Sequence, residues 1–188
     1  MKITRKTTLS EFLYLTSVLG NAADITEKTL ETAKSVKLQT IKGKTVPKSL
    51  NHLNWGQLSH ILNCKTTNEL IFVSFEVVLD IKTKELLLCP AFDVFAFLCF
   101  IQKELERIGK LFEKIKYNPT SEEIQAGINN LNFGLFGTLD WWAKRMGITD
   151  HAEAEKTPWV RIYECMKNDN QTAKFQQRLT NILINKKK

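Results

Sequence analysis

Residues Pro90–Lys116, PAFDVFAFLCFIQKELERIGKLFEKIK, decide the fold. The proline suits the first helical position, where its missing N–H costs nothing. From Ala91 to Ile101 only Asp93 is polar, so that half of the helix is expected to be surrounded by protein. Beyond it Leu105, Ile108, Leu111, Phe112 and Ile115 recur at helical spacing, with Glu104, Glu106, Lys110, Glu113 and Lys114 between them. Glu106 and Lys110 form a favourable i,i+4 pair. At ~1.5 Å per residue the element is on the order of 40 Å long. The pattern predicts one long helix running from a core to a wet surface.

The flanking sequence carries repeated helix signals. Thr8-Leu-Ser-Glu11, Asn54-Trp-Gly-Gln57 and Thr66-Thr-Asn-Glu69 are capping-box patterns, each ahead of an apolar run. Gly20-Asn21 is expected to stop the first helix, and a second, weakly held one is expected over 26–37. Residues 69–81 alternate like a strand, but the cap and the length favour a helix. Residues 82–89 connect to the long helix. Asn118-Pro119 breaks that helix, and Thr120 or Ser121 starts another that continues to Phe133. A further helix ends at Gly147, Thr149 or Asp150 caps a short turn, and Pro158 opens the next segment. Asn168-Asp-Asn170 reads as a turn, and the last helix, from Gln171, puts Phe175, Leu179, Ile182 and Leu183 on one face. Residues 38–48, with Gly43, Pro47 and three lysines through Lys48, read as a loop or short β-ribbon. The fold class is therefore mainly α, a helical domain around the central helix at about 90–116. Residues 1–49 form a basic N-terminal arm with its helices, and 50–188 a helical core domain with a basic tail.

With 188 residues, 43% of them hydrophobic, the chain can build a real core. Its net charge is +7, and the first fifty residues hold nine Lys/Arg against four Asp/Glu. Lys42, Lys44 and Lys48 in the arm and Lys186, Lys187 and Lys188 at the end are candidate contacts to an acidic partner. The four cysteines have no CxxC spacing and fit a reducing compartment. The basic, polar start does not read as a signal peptide. The apolar run over 86–101 is short for a membrane span and holds Pro90 and Asp93, so no membrane partner is expected.

Chemistry finds no motif to rest on. His60 and Cys64 stand i,i+4, with His52 near in sequence, but a metal site needs three or four converging ligands. There is no GxSxG elbow, phosphate-binding glycine loop or acid pair outside a helix start. No enzyme activity, metal or cofactor is expected. Trp141, Trp142, Lys144 and Arg145 interleave aromatics with cations, which fits phosphate-backbone contacts. Adjacent helical tryptophans point about 100° apart, so one packs inward and the other is partly exposed. Trp and Arg favour interface centres, and Trp55, Trp141, Trp142, Arg145, Trp159 and Arg161 are the interface candidates.

The order of VPKSLNHLNWGQLSHI, PAFDVFAFLCFIQKELERIGKLF, NPTSEEIQAGINNLNFGLFGTLDWWAKRMGI and WVRIYECMKNDNQTAKFQQRL resembles small structural and assembly proteins of tailed bacteriophages, crAss-like phages in particular. The AKRMGI turn, the short helix with Trp159 and Tyr163, and AKFQQRL are also similar to the end of phage tail assembly chaperones. The resemblance spans roughly residues 45–183. It implies an all-α virion structural protein, a ring subunit at the portal–tail (collar) junction through which DNA passes, assembled in the host cytoplasm. Its partners would be copies of itself in a cyclic homo-oligomer, the portal, other ring or tail proteins, and the DNA backbone. A tail assembly chaperone not retained in the virion and a DNA-binding protein are the alternatives.

Overall fold

The computed structural model describes residues 3–18, 22–34, 36, 38–117, 119–131 and 133–186. The stop at Gly20-Asn21, the break at Asn118 and the last two lysines lie outside them. Among the described residues there are ten α-helices and one two-stranded ribbon. The helices are α1 (Leu9–Val18), α2 (Ala22–Ala33), α3 (Trp55–Leu62), α4 (Thr67–Leu79), α5 (Thr83–Leu86), α6 (Ala91–Lys114), α7 (Ser121–Gln125), α8 (Gly134–Met146), α9 (His151–Ala154) and α10 (Trp159–Asn185). The ribbon pairs β1 (Thr40–Ile41) antiparallel to β2 (Lys44–Thr45), with Ile41 opposite Lys44. Its two-residue turn is Lys42-Gly43, both at positive φ (47° and 76°), the geometry that brings a tight hairpin round.

The chain forms two compact units, residues 1–50 with 59–107, and 51–58 with 108–188. Residues 1–50 fold together with 59–107 in the first of them. In this first unit the chain entering α1 is stitched to the α5–α6 connection. Leu9 N–H donates to Cys89 O at 2.8 Å, and Ala91 N–H donates to Thr7 O at 2.9 Å. Thr8 and Glu11 close the expected capping box, with Thr8 N–H on Glu11 Oε2 at 2.9 Å and Glu11 N–H on Thr8 Oγ1 at 3.2 Å. The first half of α6 is the core. Ala91, Val94–Cys99 and Ile101 are all buried, and Phe97 meets Phe75 of α4 edge-on at 4.6 Å. Phe95 meets Phe12 of α1 in the same way at 5.2 Å. Residues 67–79 are helical as the cap indicated, with Thr66 accepting Glu69 N–H at 3.2 Å.

The second unit is closed by backbone pairing between distant stretches. Trp55 N–H donates to Thr157 O at 2.8 Å, Gly56 N–H to Glu155 O at 3.0 Å, and Trp159 N–H to Leu53 O at 3.2 Å. Phe112 packs against Trp55, Trp159 and Tyr163, with ring centroids 6.1, 6.2 and 5.4 Å away. Two expectations are corrected here. The helix starting at Thr120 does not run to Phe133. It ends at Gln125, because Gly127 turns left-handed (φ 88°) before a 3-10 turn at Ile128–Asn130. And Asn168-Asp-Asn170 is not a turn but lies inside α10. Tertiary bonds override the local turn preference there: Asn170 Nδ2–H donates to Ile115 O at 2.9 Å, and Asp169 pairs with Arg145. Residues 82–89, expected as a plain connector, hold the short helix α5.

One carboxylate ties the first unit's loop to its core helix. Glu104 accepts Leu50 N–H at 2.8 Å and both a Nε–H and a Nη2–H of Arg107, at 2.9 and 2.8 Å. The Arg107 bonds are the main reason its carboxyl lies below the usual range; burial opposes them, and the Leu50 bond adds to them. A depressed folded-state value means the stabilisation is present at neutral pH and fades as pH falls through that value. Glu104→Gln should therefore cost about 1–2 kcal/mol at pH 7. In urea titrations the gap from the parent should close as pH is lowered below about 4. An equal gap at pH 7 and pH 3 would show that the charge contributes nothing.

Candidate interaction surfaces

Tryptophan pairs the largest apolar area with one N–H donor, so each either fills a core or anchors a partner. The structure divides the candidates. Trp55, Trp142 and Trp159 are buried, at 3%, 1% and 1% exposure, so these three belong to the core of the second unit and not to its surface. Their partners explain it. Trp55 and Trp159 flank Phe112, and Trp142 Nε1–H donates to Thr157 Oγ1 at 3.0 Å. Trp141, one residue along α8, is only half-buried. The 100° step between neighbours thus places one ring inside and one at the surface, as the helical geometry requires.

The cations of this region are engaged locally. The Arg145 guanidinium lies 5.5 Å from the Trp141 ring centre and pairs with Asp169. Lys144 bonds Asp140 at 2.6 Å, which together with His151 holds the Asp140 carboxyl below its usual range, the Lys144 bond dominating. Arg161 is exposed and lies 5.7 Å from the Trp142 ring centre. In the first unit, Lys42 sits in the hairpin turn and Lys44 pairs with Asp80 at 3.7 Å. Lys48 helps line a cleft of about 580 Å³ with Lys34, Lys103, Phe97 and Phe100. Lys186 is exposed, and Lys187 and Lys188 lie outside the described residues. Cys64 Sγ–H points back to His60 O at 3.5 Å, and no group of three or more His, Cys, Asp or Glu among the described residues is placed to hold a metal. No described helix is long and apolar enough to cross a membrane.

The largest apolar exposure lies elsewhere. Every residue of α10 from Gln171 to Ile184 is exposed. Phe175 (58%), Leu179 (43%), Ile182 (54%) and Leu183 (52%) follow at spacings of four, three and one, which puts them on one stripe of about 100°. Two further patches accompany it: Leu13, Tyr14 and Val18 on α1, and Leu131, Phe133 and Phe136 ahead of and within α8. Helical spacing marks the α10 stripe and the division between Trp141 and Trp142, whereas the burial of Trp55 and Trp159 follows from the pairing of residues 53–56 with 155–159. No known protein family, curated protein or solved structure matches this chain.

The two adjacent tryptophans offer a direct check on this division. Trp142→Ala should destabilise the fold by about 3–5 kcal/mol, whereas Trp141→Ala should cost about 1 kcal/mol or less. Equal losses in denaturant unfolding would contradict the burial assigned to them.

Proposed function

We propose that this chain is a bacteriophage virion structural protein, a subunit of an oligomeric ring at the portal–tail junction through which DNA passes. The observation that carries the reading is the bare half of α10: fourteen consecutive exposed residues bearing Phe175, Leu179, Ile182, Leu183 and Ile184. A helix end of this length is marginal in water on its own, and its apolar stripe gains nothing until another surface covers it. A head-to-tail ring needs two different surfaces on each copy. The exposed patches on α1, around Phe133 and on α10 supply more than one. The order of helical segments adds the resemblance to tailed-phage ring and collar proteins. The partners on this reading are sibling copies, the portal and neighbouring ring or tail proteins, with the DNA backbone in the lumen. The DNA-binding alternative draws less support, because Lys144 and Arg145 are each paired with a carboxylate.

Native mass spectrometry of the purified chain should find one closed, multi-copy stoichiometry. Peptide mass spectrometry of purified particles should find the chain at a fixed ratio to the portal. A chain that oligomerises but is missing from particles would instead be an assembly chaperone. A monomer at all concentrations would end the ring reading.

A further inference from the structure

The exposed stretch of α10 is uniform in charge. After Asp169 the sequence holds Lys174, Arg178, Lys186, Lys187 and Lys188 and no carboxylate. Two such helices laid side by side would face cation to cation, so a matching surface must be anionic and apolar. The chain contains one. From Leu9 to Ala33 there are four carboxylates, Glu11, Asp24, Glu27 and Glu31, against the single cation Lys28. Asp24, Glu27 and Glu31 are exposed and fall at i, i+3 and i+7, one stripe of α2. Glu27 and Glu31 have the same i,i+4 spacing as Lys174 and Arg178. Next to α2 in sequence and touching it, α1 exposes Leu13 (48%), Tyr14 (68%) and Val18 (64%).

We propose that the distal half of α10 docks on the neighbouring α1 and α2 helices of a second copy of this chain. Phe175, Leu179 and Ile182 cover Leu13, Tyr14 and Val18, while Lys174 and Arg178 meet Glu27 and Glu31. The contact joins two different surfaces, so each copy keeps one of each free for the next, the head-to-tail pattern that a ring requires. The proposal rests on the ring reading and names its interface. The other apolar patch, around Phe133, is a poorer acceptor because its carboxylates are already engaged. Glu123 caps Thr120 and accepts Tyr117 OH, and Asp140 holds Lys144.

Charge reversal on the full-length chain tests the pairing, read by sedimentation velocity at low salt. Glu27→Lys/Glu31→Lys and Lys174→Glu/Arg178→Glu should each weaken assembly at least ~10-fold alone. All four changed residues are exposed, so circular dichroism should confirm that both variants stay folded. An equimolar mixture of the two should assemble again, because each reversed surface then finds an opposite one. Assembly of Glu27→Lys/Glu31→Lys like the parent would overturn the proposal while leaving the ring reading standing. So would loss of assembly in Phe133→Ser/Phe136→Ser alone. A parent chain that stays monomeric would remove both, and one that stays monomeric while binding phosphatidylglycerol vesicles through Lys174 and Arg178 would reassign the helix to a lipid surface.

Discussion

One helix of the second unit is held at one end and exposed along the other, and that contrast carries the interaction reading. Alpha10 begins on Trp159 and Ile162, buried to 1% and 0% exposure, with Tyr163 against Phe112. Its middle is pinned by the Asn170 bond to Ile115 O and the Asp169 pair with Arg145. Beyond that, every residue from Gln171 to Ile184 is exposed. Starting a helix is the costly step, and the buried turns have already taken it, so the following turns add one backbone bond per residue. That is how fifteen residues, about 22 Å, can continue as helix with an unburied stripe. Covering five side chains that are each about half exposed would be worth on the order of 4–7 kcal/mol. A surface of that value explains why interaction, and not chemistry, organises the reading.

Each of the two units has a core of its own. In the first, α6 supplies a segment buried on nearly every side, with Phe97 and Phe95 locking α4 and α1 to it. In the second, Phe112 is the hub for Trp55, Trp159 and Tyr163. From Ala91 to Ile101 the long helix carries Asp93 as its single polar residue, and beyond that its apolar residues narrow to a stripe.

Much of this was legible because it is local. The boxes at Thr8/Glu11 and Asn54/Gln57 are formed by residues three apart and close in both directions, while at Thr66/Glu69 the hydroxyl takes the Glu69 N–H and the carboxylate accepts from Lys65 N–H instead. The long helix, the ribbon at Gly43 and the apolar face of the last helix follow from periodicity and turn chemistry in the same way. Two of the misreadings depend on residues far apart. Trp55 and Trp159 are buried because residues 53–56 pair with 155–159, more than ninety positions away, and no spacing in the sequence marks that pairing. The supposed turn at 168–170 stays helical because of partners at Ile115 and Arg145. The helix from Thr120 ends early because Gly127 takes a backbone conformation that a periodic pattern does not register. The interface candidates suffered most, since tryptophan count cannot separate core from surface, whereas exposure along α10 can.

Backbone amide exchange across residues 171–185 tests the central claim most directly, followed as the concentration of the full chain is raised. The account predicts exchange close to that of an uncovered helix end at high dilution, with protection rising steeply as copies meet. Exchange that stays equally fast from dilute to concentrated solution would mean that nothing covers this helix, and the account would fail.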